Sequence, residues 1–378
     1  MRVGTRRSPA VTKATTTRTT ERSRVLHEQV PWRCVVRLSW LIASAALWVS
    51  GCAAPAVQSI SKVPPPAPAL HGGPPADFVS AAGLRWLVLV KPQRIFAEPE
   101  LAHAIEKIVP SARFEAFAEA SGVNLHVVPQ AAVAGWAYST LYVAELPSGA
   151  AALARARFSD RLLSGALTKH VHPGLYRITG VIGQTPETLV TVDERLVAVA
   201  VGDPVQAKVV EAYAEQRLRN SATALRGAAL SSLPDLAAGN DAVLYAPGPF
   251  TNEWQHAANG LLESAVALGI AVQPIGNGKV ATTICLAGEW QSVAGDAANR
   301  LAAAWTAFAR SSAGHLFELN EAAEVRATPE LLTLHVELEL EPIVRGLKAS
   351  VLGDLTEILR VPSRTQSTPK DPAIEQNP

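Results

Sequence analysis

The sequence predicts an α+β fold of two pseudo-repeated halves, each with the order strand, helix, strand, helix, hairpin, helix. Mostly antiparallel sheets would be covered by helices on one face. Apolar runs that end at proline recur at residues 88–92 (VLVKP) and 243–247 (VLYAP), and a helical pattern follows each run. The triplet Thr-Pro-Glu precedes strand-like sequence twice, at residues 185–187 and 328–330. The matching order of these features along the chain predicts the duplication.

The helical patterns after the two apolar runs define the first helical region of each half. In the first half this region covers residues 98–120, with an interruption at Pro110, which lacks the N–H that a helix interior needs. In the second half it covers residues 251–268, with Thr251 as N-cap and Gly269 as the stop. Its apolar residues recur at helical spacing on one face: Trp254, Ala258, Leu261, Leu262 and Ala265.

A strand and a second helix come next in each half. The strands are predicted over residues 135–146 and 279–287, and an Asn-Gly pair before the later strand suits a tight hairpin turn. The helices are predicted over residues 148–163 and 292–309. In the later helix one face is apolar: Val293, Ala297, Leu301, Trp305 and Phe308.

The endings of the two halves also correspond. After the last predicted strand of each half, a segment with an acidic residue followed by proline starts a helix, at residues 202–205 (GDPV) and at residues 340–343 (LEPI). Proline suits the first helical position, and the carboxylate faces the positive end of the helix dipole. The predicted boundaries are 78–220 for the first half, 241–361 for the second half and 220–240 for an Ala/Ser/Gly-rich joint.

The longest apolar run lies near the N-terminus and has the features of an address signal. It covers residues 38–49, follows Arg33 and Arg37, and ends shortly before Cys52. It is shorter than the roughly 20 residues that span a bilayer core, but it suits the apolar centre of a signal peptide. A short buried helix that ends at an ordinary cysteine is the alternative, and the order of charge, apolar run and small residues favours the signal peptide.

The end of this run, Val49-Ser50-Gly51-Cys52, resembles the lipobox of bacterial lipoproteins. The resemblance implies that the lipoprotein signal peptidase recognises Val49, Ser50 and Gly51, and that the thiol of Cys52 carries a diacylglyceryl group after cleavage. Two or three acyl chains give stable membrane anchoring. The family's sorting rule implies the outer membrane, because residue 53 is Ala and not Asp. The membrane is therefore an expected partner, on its periplasmic or surface face.

The regions next to this signal have biased compositions. Residues 1–51 are predicted to be the signal peptide, and because residues 1–29 are rich in Arg, Thr and Ser without apolar periodicity, we hypothesise that translation starts near Val30. Residues 52–77 are rich in proline and would form a semi-rigid linker. Residues 362–378 have almost no apolar side chains and are predicted to be a disordered tail.

Charge and cysteine content limit the possible partners. Residues 1–51 hold 9 of the 34 Lys+Arg and 2 of the 33 Asp+Glu, which leaves 25 basic and 31 acidic residues and a net charge of −6. A mildly acidic mature chain without a basic run argues against a nucleic-acid partner. Once Cys52 is lipidated, Cys285 is the remaining thiol of the mature chain, so no disulfide within the chain is expected.

Candidate metal-binding and nucleophilic residues are few. His170 and His172 would lie on the same side of an extended segment and could share a metal. The loop signal Pro173-Gly174 and the lack of further ligands favour a solvated pair, so no metal or cofactor is predicted. Cys285 lies in an alternating strand and is predicted to pack as a small apolar residue, with a nucleophile as the alternative.

Two further patterns have structural interpretations. Residues 276–279 (GNGK) lack the spacing of a phosphate-binding loop and are predicted to form a turn. Trp136, Tyr138 and Tyr142 recur at even spacing and are predicted to share one face of a strand, as core residues or as an aromatic ligand platform. The serine hydrolase motif GxSxG does not occur, and no SxxK sequence starts a predicted helix.

Three functional hypotheses follow from a strong anchor signal without a catalytic motif. The first is a non-enzymatic, lipid-anchored protein of the cell envelope that binds an unidentified envelope protein or ligand. The second is an anchored enzyme, such as a hydrolase, whose catalytic residues form no recognisable motif. The third is a structural or envelope-assembly factor that works through the sheet face between the halves.

Overall fold

Antiparallel pairing organises the part of the chain that the structure describes, residues 69–219 and 222–351 of a computed structural model. These residues belong to one compact unit. Their strands form one twelve-stranded sheet, and every pair of neighbouring strands in it is antiparallel. The predicted signal peptide, the lipobox with Cys52, most of the linker and the predicted tail lie outside the described residues.

The first half begins with a Val- and Leu-rich strand, and prolines then define the helical segments. Pro92 and Pro99 each occupy the first position of a helix, and Pro110 is the N-cap of the next. The elements are β1 (Trp86–Val90), α1 (Pro92–Ala97), α2 (Pro99–Ile108), α3 (Ser111–Ser121), β2 (Ala131–Gly135), β3 (Ser139–Glu145), α4 (Ala150–Arg161), β4 (Ser164–His172), β5 (Leu175–Ile182), β6 (Thr185–Val192), β7 (Leu196–Gly202) and α5 (Val205–Ala214).

The second half contains a long hairpin whose turn is the predicted Asn277-Gly278 pair. Both residues have positive φ angles, 54° and 68°, which asparagine and glycine tolerate better than other residues. The elements are β8 (Ala242–Pro247), α6 (Ala257–Ser264), β9 (Ala265–Gly276), β10 (Lys279–Gly288), α7 (Ala294–Ala309), α8 (Ser312–Leu316), β11 (Glu324–Ala327), β12 (Leu331–Glu339) and α9 (Leu340–Val351).

The first strands of the two halves pair with each other at the centre of the sheet. The strand order is β11-β12-β10-β9-β8-β1-β2-β3-β7-β6-β5-β4, and Leu87 lies opposite Tyr245 in the central antiparallel pair. The predicted mixture of helices with antiparallel strands is therefore confirmed. The strands form a single sheet across both halves, because β1 and β8 bond edge to edge and leave neither half with a free central edge.

The sheet has two faces, which we name after the helices that cover them. On the α5 face, Leu87, Leu141 and Tyr245 are buried in one cluster with Val210 and Tyr213 of α5. On the α7 face, two separate clusters pack under α7 and under α4: Leu334 with Leu301 and Trp305, and Leu189 with Phe158. Burial of a large apolar side chain contributes about 1.5–3 kcal/mol, so both faces stabilise the fold.

The prediction that helices cover only one face is wrong. Adjacent residues of β6, Leu189 and Val190, are 2% and 0% exposed and belong to clusters on opposite faces. A strand that is buried on both sides shows a continuous apolar run, which does not reveal how many helical layers cover it.

The prediction of a helix over residues 251–268 is wrong for much of its length. Asn252–His256 form a 3₁₀ turn, Ala258, Asn259 and Gly260 have left-handed backbone angles, and β9 begins at Ala265. Gly269, the predicted helix stop, lies inside β9. Pairing of β9 with both β8 and β10 outweighs the local helical pattern, because a strand with two neighbours satisfies its backbone groups on both edges.

The prediction of one strand over residues 135–146 is confirmed for 139–145, which form β3, but its start is wrong because residues 136–138 form the turn between β2 and β3. Trp136 and Tyr138 lie in this turn and only Tyr142 lies on a strand, so the three aromatic residues do not share a strand face. Gly202 approaches the turn so closely that a Cβ atom there would lie 2.4 Å from the Tyr138 carbonyl oxygen.

Two segments that the sequence suggested as connections pack against the domain. In the joint at 220–240, Leu230, Leu233 and Leu236 are buried against the α5 face. From the end of the predicted linker, the His71 N–H donates to the Ala214 carbonyl at 2.8 Å. Among the described helices, none is both long and apolar enough for a membrane span.

Candidate functional site

A large apolar cleft lies where the two halves meet, at the beginning of β1 and the end of β8. Its volume is about 1030 Å³. The floor is formed by side chains of three neighbouring strands on the α7 face: Trp86 of β1, Leu244 and Ala246 of β8, and Leu268 and Ile270 of β9. These floor residues are half-buried, because the helices on this face cover the outer strands more fully than the central ones.

The wall of the cleft is the connection between β8 and α6. It contains Pro247, Pro249, Phe250 and Trp254, and the Trp254 residue is 64% exposed. Phe250 packs partly against the cluster under α7. Exposed tryptophan is unusual in a surface that only faces water, and grouped aromatic side chains beside a concave apolar floor are typical of ligand sites.

The aromatic ring of Trp86 has its place because residue 135 is glycine. Trp86 and Gly135 face each other across β1 and β2, and a Cβ atom at Gly135 would lie 2.2 Å from the Trp86 ring. The ring therefore lies flat over the neighbouring strand at the edge of the cleft. A β-carbon at this position would force the ring to move.

Among the lining residues that the structure describes, Arg85 is the one ionisable side chain. The backbone N–H of Arg85 donates a hydrogen bond to the Gly135 carbonyl at 2.9 Å, while the Arg85 side chain is exposed. Arginine remains protonated over the physiological range and donates several hydrogen bonds in a planar array. The described lining thus combines an apolar interior with the positive charge of Arg85.

A separate pair of titratable groups lies on the α7 face of the first half. Burial raises the pKa of the Glu187 carboxyl on β6, and the positive charge of Arg161 at the end of α4 opposes this change. Burial, with a contribution from Glu187, raises the pKa of the Tyr142 hydroxyl. These groups lie outside the lining of the cleft.

The raised pKa of Glu187 predicts a specific pH dependence of stability. Between the ordinary value of 4.5 and the raised value, the folded chain binds more protons at this group than the unfolded chain does. The contribution of Glu187 to the free energy of unfolding therefore decreases as the pH rises through that window. Glu187→Gln should remove this decrease in urea unfolding measured below and above pH 4.5, whereas Glu337→Gln, at an exposed position, should not.

The structure places the two predicted histidines on the edge strand β4. His170 lies against Tyr176, with ring centroids 4.7 Å apart, and the Nδ1 atom of His172 is 2.9 Å from the Pro173 carbonyl oxygen. A register shift separates the two histidines. Across the described ranges, no group of three or more His, Cys, Asp or Glu side chains is arranged to hold a metal ion.

Cys285 lies in the interior, where it is 1% exposed and packs in the cluster under α5. Burial raises the pKa of its thiol, and the Thr333 hydroxyl 4.0 Å from the sulfur opposes this only in part. A buried thiol with a raised pKa is a poor nucleophile, because the thiolate is the reactive form. The geometry agrees with a packing role.

Sequence reasoning missed the residues of the cleft. The segment 247–254 (PGPFTNEW) contains two prolines and two aromatic residues between strands, a composition typical of a loop. The sequence instead predicts that a helix starts in this segment, with Thr251 as its N-cap. Of the predicted aromatic set, Trp136 donates from Nε1 to the Ala82 carbonyl at 3.0 Å, and Tyr138 is 89% exposed.

Comparison with known proteins adds no relative: the chain matches no family model, no curated protein and no solved structure.

Proposed function

We propose that the protein is a lipid-anchored binding protein of the cell envelope. In this proposal it is anchored in the outer membrane, on the periplasmic or surface face. Support for the anchor comes from Val49-Ser50-Gly51-Cys52, preceded by a short apolar run and basic residues. In this proposal Cys52 carries the lipid and the proline-rich segment holds the folded domain away from the membrane.

We also propose that the two halves are pseudo-repeats related about the central strand pair. From that pair outwards, the strands follow one another in the same order in both halves, β1-β2-β3-β7-β6 and β8-β9-β10-β12-β11. Along the chain, α4 follows β3 just as α7 follows β10. The first half differs by the extra β4–β5 hairpin, which comes between α4 and β6. The cleft lies at the junction of the halves, so both contribute to it.

The ligand that fits the cleft best is a small amphiphile with an apolar body and an acidic group. The observation that carries this proposal is the described lining itself, in which apolar and aromatic side chains surround a large volume and Arg85 supplies a positive charge. A volume of about 1030 Å³ is at the upper end for small-molecule sites, which measure about 300–1,000 Å³. An anionic group would pair with the guanidinium of Arg85 at the exposed side.

Binding is favoured over catalysis by the chemistry of the same lining. Acid–base catalysis needs a group that exchanges a proton near the working pH, and nucleophilic catalysis needs an activated nucleophile. Within the described part of the lining, the polar side chains are Arg85, Thr251 and Asn252, and none of them lies beside another described titratable group of the lining.

Fluorescence titration with 1-anilinonaphthalene-8-sulfonate tests this function, because the probe combines aromatic rings with one anionic group. The purified full-length protein should bind it saturably, and Arg85→Gln should weaken binding about tenfold, since a charge-assisted hydrogen bond contributes about 1.5–3 kcal/mol. The matched control is Arg113→Gln, at an exposed arginine on α3 that does not line the cleft. Equal affinity of both variants would contradict the proposed role of Arg85.

A further inference from the structure

A second cavity, of about 320 Å³, lies at the opposite end of the central strand pair from the cleft. It opens where β1 ends and β8 begins, and Leu89 and Val243 contribute its apolar base. Polar side chains from three segments surround this base: Lys91, Gln130, Asp235, Asn240 and Asp241. Such a convergence of charged groups on a small cavity is independent of the apolar cleft.

Asp241 is the most deeply buried of these polar groups. Its side chain is 5% exposed, and its Oδ1 atom accepts no hydrogen bond from any group within residues 69–219 and 222–351. The Arg94 Nε atom lies 3.0 Å from Oδ1, but its N–H does not point at that oxygen. An ionised carboxylate can accept about four hydrogen bonds, and leaving them unmade in the interior is unfavourable.

Two other polar side chains of the cavity, Lys91 and Asn240, donate to nearby backbone carbonyls. The backbone N–H of Lys91 donates to the backbone carbonyl of Asp241. The ammonium group of Lys91 donates to the Ala237 carbonyl at 2.6 Å instead of to the Asp241 carboxylate. The amide nitrogen of Asn240 donates to the Leu236 carbonyl at 2.7 Å, which leaves the side-chain oxygen of Asn240 as an acceptor. Asp235, which is exposed, adds a second carboxylate to the lining.

We propose that this cavity binds a small organic molecule through a primary ammonium group held by Asp241 and Asp235. An ammonium group supplies three donors and one positive charge, which complement Oδ1 of Asp241, the carboxylate of Asp235 and the amide oxygen of Asn240. A divalent metal fits less well, because no described cluster offers three or more His, Cys, Asp or Glu ligands. The volume admits a molecule of a few heavy atoms, near the lower limit of about 300 Å³ for ligand sites.

Isothermal titration calorimetry of the full chain with 1,4-diaminobutane tests the proposal, with 1,4-butanediol as the matched uncharged probe. We expect saturable binding of the diamine and none of the diol. Asp235→Asn should lower the affinity for the diamine about tenfold, and Asp241→Asn at least as much, because each loses a charge-assisted bond. Glu337→Gln, at an exposed carboxylate outside the cavity, should bind as the unmodified protein does.

Three outcomes would overturn the proposal: no measurable diamine binding, equal binding of the diol, or unchanged affinity in Asp235→Asn. If Asp241→Asn fails to fold, Asp235→Asn decides the question alone, since Asp235 is exposed and its substitution leaves the interior unchanged.

Discussion

Replacement of Arg177 by methionine should lower the free energy of unfolding by about 3–5 kcal/mol. Arg177 Nη1 on β5 donates to both carboxylate oxygens of Glu211 on α5, each at 2.9 Å, and the two side chains are 20% and 6% exposed. Burial raises the pKa of Glu211, and the Arg177 guanidinium opposes this. Without Arg177 the chain must bury a carboxylate that has lost its main partner, or protonate it.

Urea unfolding at neutral pH measures this effect. The control is Arg326→Met, because Arg326 pairs with Glu324 at the surface, where the side chains are 78% and 57% exposed. Such exposed pairs contribute at most about 1 kcal/mol. The double substitution Arg177→Met with Glu211→Leu should recover part of the loss, since it removes the unpaired carboxylate. Similar decreases in the free energy of unfolding for Arg177→Met and Arg326→Met would show that the ion pair between β5 and α5 stabilises the fold no more than an exposed pair does.

Replacement of Cys52 by serine should abolish acylation of the protein and leave its precursor unprocessed. A serine hydroxyl cannot receive the thioether-linked diacylglyceryl group that the lipobox resemblance implies, and cleavage depends on that modification. Metabolic labelling with a radioactive fatty acid, followed by electrophoresis, measures both effects.

Cys34→Ser is the matched control for the anchor, because Cys34 precedes the apolar run and should not be acylated. This variant should retain the label and the mature size. Label that persists in Cys52→Ser, or processing of this variant to the mature size, would refute the anchor.

The elements that the sequence predicted best depend on local chemistry. Pro110 marks the boundary between α2 and α3, and Asn277-Gly278 forms the turn of the hairpin between β9 and β10. The helix predicted over 292–309 is α7, and its inner residues Leu301 and Trp305 are buried. Proline restrictions, left-handed turns and helical periodicity act over a few residues, so one sequence suffices to reveal them.

The elements that the sequence missed depend on distant partners. The edge strand β4 has exposed residues on both faces and two register shifts against β5, so its sequence lacks a regular alternation. β9 was predicted as part of a helix because Leu261, Leu262 and Ala265 match helical spacing. Only the pairing of β9 with β8 and β10 determines that Ala265 begins a strand.

The cleft could not be predicted for the same reason. Trp86 and Leu268 are far apart in sequence, and they come together because β1 pairs with β8 and β8 with β9 in a fixed register. Neighbours along the chain give no sign of this, since Trp86 lies in an apolar strand and Trp254 fits a helical pattern. The aromatic residues that did attract attention, at 136, 138 and 142, lie on a turn and on β3.

Photolabelling tests the central claim, that the cleft between the halves is the ligand site. The purified full-length protein would be irradiated with a fatty acid that carries a diazirine, and the modified residues located by mass spectrometry. The account predicts adducts on the floor and wall of the cleft, concentrated at Phe250, Trp254 and Ile270, and their loss when excess unlabelled fatty acid competes. Adducts confined to the exposed leucines beside β4, Leu163 and Leu167, or spread without competition over the surface, would contradict it.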